Sequence, residues 1–269
     1  MDPSADFAEA VQRAVVNPQF VPLDRLALLI AANASPAVDI DLECGRLDQL
    51  AHDFGGGSAT DLMAWLAVRG FRGNAEDYYH PDNSMLNRVI DRGLGIPISL
   101  SVLAIEIGRR CGIELDGIGL PGEFIVAERH QPDRFHNPYR QRSMGTDEVL
   151  TMVRRFAGRD AQLTPAMLRP VDELSIIRRM LTNLAHIYSH TDRPSQLEWV
   201  LRLQTSLPGI DLAVHRQYAA VLARLGRFWE ASEVLSRLIE STSDDVDLQG
   251  REEIDSDRAA LLHLQARLN

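Results

Sequence analysis

Four residues stand where their types and spacing bear on chemistry: Pro97, Ser99, Glu123 and Asn137. Pro97 and Ser99 open the apolar run Leu100, Val102, Leu103, Ile105, Ile107, which reads as a helix apolar nearly all round and therefore buried. Proline suits the first turn of such a helix, because its missing N–H would have no partner there anyway. Ser99 is close enough to help cap that turn. The helix N-terminus, with its free amides and partial positive charge, is where many proteins hold an anion or a nucleophile. Glu123 and Asn137 fall on short strands further on, and a lone carboxylate in a cleft can act as a general base. The plainer reading of Glu123 with Asn137 is a polar pair joined by a hydrogen bond.

Other motifs carry less. Gly117, Gly119 and Gly122 spell GxGxxG, but that fingerprint needs a helix after it. Here Pro121 and the strand-like Glu-Phe-Ile-Val follow, so these are turn and strand glycines. The histidines show no metal-ligand spacing on a common face, and no cofactor or metal is expected. His130 and His136 flank a turn and read as surface histidines. Glu106, the one acid in the apolar helix, has Arg109 and Arg110 three and four positions on, which predicts a structural ion pair. Trp65, Tyr78 and Tyr79 read as core or interface aromatics. Cys44 and Cys111 read as buried free thiols of a reducing compartment.

The elements that must position these residues follow from periodicity. Phe7–Val16, Pro22–Ala32 and Asp41–Phe54 have helical spacing, and Ser58 or Thr60 caps a fourth helix. After Cys111 the period changes to strands at Ile113–Gly119, Phe124–Ala127 and Arg134–Asn137, with a polar turn at His130–Asp133. Thr146 caps a helix to Phe156, Thr164–Pro170 is a linker, and from Val171 the chain is helical. This predicts a predominantly helical α+β protein of two domains, residues 1–163 and 171–269.

Two C-terminal segments align at a spacing near 35 residues, with Leu184, Val200 and Leu203 opposite Ala219, Leu235 and Leu238. Ala219, Gly226, Phe228 and Ala231 sit at the offsets of a tetratricopeptide repeat. The first segment is the weaker copy. Residues from Glu252 to Leu268 form a candidate capping helix.

The chain has 28 basic and 38 acidic residues and a net charge of −10, which argues against nucleic acid or an anionic membrane as partner. No apolar run approaches the ~20 residues of a membrane span. The N-terminus MDPSADFAEA has neither a basic nor an apolar leader region, so a cytoplasmic location is expected.

The order Gly95-x-Pro97, buried helix, Gly112-Ile113, strand, Pro121-Gly-Glu123, strand, Asn137-Pro138 resembles the transglutaminase-like, papain-type core. More narrowly, NSMLNRVIDRGLGIPISLSVL followed by GLPGEF is similar to the SirB-type subfamily, which joins such a core to tetratricopeptide-like helices. The resemblance implies a Cys-His-Asp triad on the central helix and two strands. Gly112 lies fifteen residues after Pro97, so proline takes the nucleophile's place, and Glu123 and Asn137 take those of the histidine and the aspartate. A thiolate, its base and an orienting acceptor are all missing. The expectation is a non-catalytic, protein- or peptide-binding adaptor, with Arg178, Arg179, Arg202 and Arg216 as candidates to line its groove. The alternative is a cryptic hydrolase or acyltransferase with Glu123 as base and water or Ser99 as nucleophile.

Overall fold

The computed structural model describes residues 2–18, 21–241 and 248–268. The chain divides into two compact units, Met1–Asn183 and Leu184–Asn269.

The first unit opens with α1 (Pro3–Val16), α2 (Leu23–Ala34), α3 (Ile40–Phe54) and α4 (Ala59–Val68). Asp2, Asp39 and Ser58 cap α1, α3 and α4 by accepting first-turn amides, which would otherwise lack partners. Of the two cap candidates for α4 it is therefore Ser58 that serves. Ser58→Ala is expected to lower stability by about 1 kcal/mol, measurable by urea denaturation. α2 is buried along Leu26–Ala32, so it is an interior helix.

Two-residue strands β1 (Arg72–Gly73) and β2 (Leu94–Gly95) pair in parallel. Between them lie a 3-10 turn, Pro81–Ser84, and α5 (Leu86–Arg92). Then comes α6 (Pro97–Arg110), with Pro97 in its first turn as predicted and only Ile105, Arg109 and Arg110 incompletely buried.

β3 (Leu115–Leu120), β4 (Glu123–Glu128), β5 (Gln131–Asn137), β6 (Arg142–Met144) and β7 (Pro170–Val171) form an antiparallel sheet in the order β6-β5-β4-β3-β7. The Pro121-Gly122 turn joins β3 to β4, so the GxGxxG glycines sit in a strand and a hairpin, as expected. One face of the sheet packs Ile118, Ile125, Phe135 and Met144 against Val149, Met152 and Val153 of α7 (Thr146–Ala157).

Three local readings need correction. Gly145, not Thr146, holds the cap position of α7, and Thr146 is its first helical residue. The polar stretch at His130–Asp133 is strand from Gln131 onward, because pairing with β4 resumes there past an irregularity at Ala127/Glu128. The linker Thr164–Pro170 contains a 3-10 turn (Pro165–Leu168), and its end, with Val171, pairs with β3.

Residues of α8 (Glu173–His190) fall in both units. The second unit continues with α9 (Pro194–Thr205), α10 (Leu212–Arg224), α11 (Phe228–Ser241) and α12 (Leu248–Ala266). α10 packs against α9 and α11, and α11 against α12. Leu184, Val200, Leu203, Ala219, Leu235 and Leu238, the residues that align at the 35-residue spacing, are all buried. Among the described residues no helix is long and apolar enough to cross a membrane.

Candidate functional site

At the N-terminus of α6 lies a half-open cavity of about 120 Å³, bordered by Tyr78, Pro97, Ile98, Glu123, Phe124 and Arg179 among others. Ligand pockets usually run to about 300–1,000 Å³, so this one admits a single side chain or small group and no larger molecule. Two of the four predicted site residues, Pro97 and Glu123, are therefore brought together. Ser99 and Asn137 do not border it.

Ser99 is fully buried and turned toward backbone. Its Oγ donates to the Asn83 carbonyl and accepts the Ile96 N–H at 3.1 Å. That closes half of a capping box and fixes the entry to α6. A hydroxyl committed in this way is a cap, not a nucleophile.

Asn83 anchors the same corner. Its side chain donates to the carbonyls of Asp77 (2.7 Å) and Tyr78 (3.1 Å) and accepts from Asn74 and Arg92. It thereby ties the tyrosine loop to the helix head.

Glu123 and Asn137 do not form the expected pair. Glu123 is buried, and its Oε1 accepts from the Arg140 guanidinium at 2.7 Å, while Oε2 has no partner. Asn137 accepts the Arg140 backbone N–H through Oδ1 at 3.0 Å and turns its amide nitrogen to the Met152 sulfur at 4.0 Å. Arg140, which sequence reasoning passed over, links the two. Its signal was slight: three residues past Asn137, in a turn of mixed polar residues. Burial first, then the charges of neighbouring Tyr139 and Glu123, hold the Tyr78 phenol above its ordinary pKa, and burial lowers that of the Arg179 guanidinium. Arg179 lies over the Phe124 ring, 5.1 Å from its centroid, a cation–π geometry. Of the other arginines named for a groove, Arg178 is its neighbour on α8. Arg202 and Arg216 belong to the second unit, where Arg216 is held by Asp257 (2.9 Å) and Glu253 (2.8 Å). Arg202 lies 3.5 Å from Glu198.

The predicted ion pair of Glu106 is present, with Arg109 and Arg110 each 2.7 Å from its Oε2, and Asp24 joins it, 2.6 Å from Arg110. Cys44 and Cys111 are free but half-buried, not fully so. Burial, with the charge of Asp24 adding to it, pushes the Cys44 thiol up to about 11, which keeps it protonated and unreactive. Among the described residues no group of histidine, cysteine and acidic side chains could hold a metal.

His130 is exposed as expected, but His136 is not a surface residue: it is 1% exposed. Its Nδ1 lies 2.8 Å from Ser143 Oγ and its Nε2 3.0 Å from Glu128 Oε1. The turn assigned at His130–Asp133 hid the strand alternation that puts His136 inward.

A buried helix packed on an antiparallel sheet, with a small cavity at the helix head, is the arrangement of a transglutaminase-like core. Residues 45–182, 138 of the 269, match the model of the transglutaminase-like superfamily, and the chain belongs to that superfamily. Among curated relatives, a UPF0162 protein of Xylella fastidiosa (strain Temecula1) is 35% identical over 199 residues, 67% of this chain and 69% of the relative. A UPF0162 protein of Pseudomonas aeruginosa is 28% identical over 177 residues, 62% and 65% of the two chains. Human F-box only protein 21 is 31% identical over 159 residues, 57% of this chain and 23% of its own. No solved structure gives a significant match.

Proposed function

We propose that the papain-type cleft of this chain is non-catalytic and that the protein is a binding or adaptor module of the SirB type. In this reading the C-terminal helices are tetratricopeptide-like hairpins that present a surface to a peptide segment of another protein. The observation that carries it is Pro97 at the head of α6: the position from which a nucleophile would act holds a side chain with no reactive atom. Glu123 supports it, because its Oε1 is held by the Arg140 guanidinium at 2.7 Å and Ser99, the hydroxyl it would have to activate, does not border the cavity. The size of the cavity argues the same way.

The test is affinity capture on the full chain, followed by binding measurements with the partner recovered. Glu123→Ala and Asn137→Ala, checked for native circular dichroism, are expected to keep the wild-type Kd within twofold. A turnover product that is lost with Glu123→Ala would overturn the reading.

A further inference from the structure

A second constellation lies in the same unit, apart from the cavity at Pro97. β5 and β6 set His136 directly opposite Ser143. Their neighbours Phe135 and Met144 fill the core under α7, so His136 and Ser143 project from the other face of the sheet. There Ser143 Oγ comes within 3.4 Å of Thr60 Oγ1, in the first turn of α4. Ser143 is exposed on an edge strand, His136 is buried behind it, and Glu128, mostly buried, lies behind His136.

We propose that Ser143 is a nucleophile activated by His136, with Glu128 as its positioning residue, and that the site takes short-chain acyl esters. The hydrogen bonds join carboxylate, imidazole and hydroxyl in one chain, with Nδ1 facing the hydroxyl and Nε2 the carboxylate, the reverse of the serine-protease triad. Glu128 accepts the Nε2–H of a neutral imidazole, which leaves the Nδ1 lone pair to accept the Ser143 hydroxyl proton. Burial lowers the pKa of His136 against the opposing hydrogen bond to Glu128, which keeps the ring neutral and able to receive that proton. Arg134, 3.9 Å from Glu128, acts in the same direction as burial.

In the reaction Ser143 Oγ bonds to the ester carbonyl carbon while its proton passes to His136 Nδ1. Collapse breaks the bond to the alkoxy oxygen, which leaves as the alcohol with the proton from Nδ1. Water then attacks the acyl-serine, its proton passing through Nδ1 to Ser143 Oγ, and the acid departs. The first-turn amides of α4 at Ala59 and Thr60 have no carbonyl within the helix to bind, and the same turn approaches the site through Thr60 Oγ1, 3.4 Å from Ser143 Oγ. Arg142, Ser143 and Gly145 are all exposed, so an acyl group bound there stays largely in water, which favours a short one.

The experiment treats the full chain with a fluorophosphonate probe and, in parallel, with p-nitrophenyl acetate. One label per chain, mapped to Ser143, is expected, with loss of label and of ester hydrolysis in Ser143→Ala. His136→Gln is expected to slow labelling at least about 100-fold. Because His136 is buried, Glu128→Gln is the second variant: it leaves the imidazole in place, and labelling should slow and its pH profile shift toward lower pH as the nearby negative charge is removed. Circular dichroism confirms the fold of each. A folded wild type that takes no label, a label mapped elsewhere, or hydrolysis unchanged in Ser143→Ala would overturn the proposal, and each would leave the adaptor reading of the Pro97 cavity standing.

Discussion

Glu106→Ala is expected to destabilise the first unit by about 3 kcal/mol, the low end of the cost of removing one partner from a buried ion pair. Glu106 is 2% exposed and accepts from both Arg109 and Arg110. The loss does not come from the attraction itself. Burial, and next the charge of Asp24, hold the Glu106 carboxyl above its ordinary pKa in spite of the two arginines, so its ionised form is less comfortable folded than in water. What the truncation costs is the acceptor both guanidiniums share at Glu106 Oε2, which leaves Arg109 with Asp24 alone at 3.3 Å. Arg110 keeps Asp24 and Asp48, each at 2.6 Å, and that limits the damage. Glu106→Gln keeps the volume and one acceptor and should lose less than half as much.

The pH dependence has a definite sign. With its folded pKa raised, Glu106 binds its proton more tightly in the native chain than in the unfolded one. Its contribution is full below the ordinary carboxylate value and is lost as pH rises through the raised folded value. Urea midpoints of wild type and Glu106→Gln, compared across that window, should therefore converge from the acid side upward. Parallel curves would refute the assignment.

Gly93→Ala is the second large effect, expected at about 2–5 kcal/mol. Gly93 ends α5 in the left-handed region at φ 68°. A side chain there costs about 1–2 kcal/mol on conformational grounds. A Cβ would also stand 2.8 Å from the Gly70 carbonyl oxygen, a backbone atom that cannot swing aside. Forced repacking adds about 1–3 kcal/mol. The Gly93 carbonyl accepts the Arg72 N–H at 2.8 Å, so any shift also strains the β1–β2 pairing. Gly55→Ala is the control: it has φ 73° at the end of α3, and the nearest atom to its Cβ is 3.9 Å away. Thermal unfolding of both variants separates the conformational cost from the clash, and equal losses would show that the clash is relieved.

Much of the first unit was legible because its signals are local. α6 announces itself by an apolar surface with almost no polar interruption and by a proline that only a first turn tolerates. The i, i+3 and i, i+4 spacing of Glu106, Arg109 and Arg110 gave the ion pair, yet Asp24, 82 positions before Glu106, left no trace in the spacing. The two shortest strands of the sheet were invisible for a related reason. Three residues in β6 and two in β7 show no alternation, and they exist only because β5 and β3 offer them a ladder. With β6 unseen and β5 read as starting at Arg134, nothing connected His136 to Ser143. At the candidate site, Pro97 and Glu123 border one cavity, whereas the direct pair of Glu123 with Asn137 is absent because Arg140 intervenes between them.

Those two abbreviated strands also bear on how molecules of this protein meet one another. A sheet that ends in a long, flat border invites a foreign strand to add on, the first step toward fibrils. Here both borders are cut short, and Pro170 at one of them has no N–H to offer an incoming chain. The scaffold is thereby guarded against stacking edge to edge, even at high concentration.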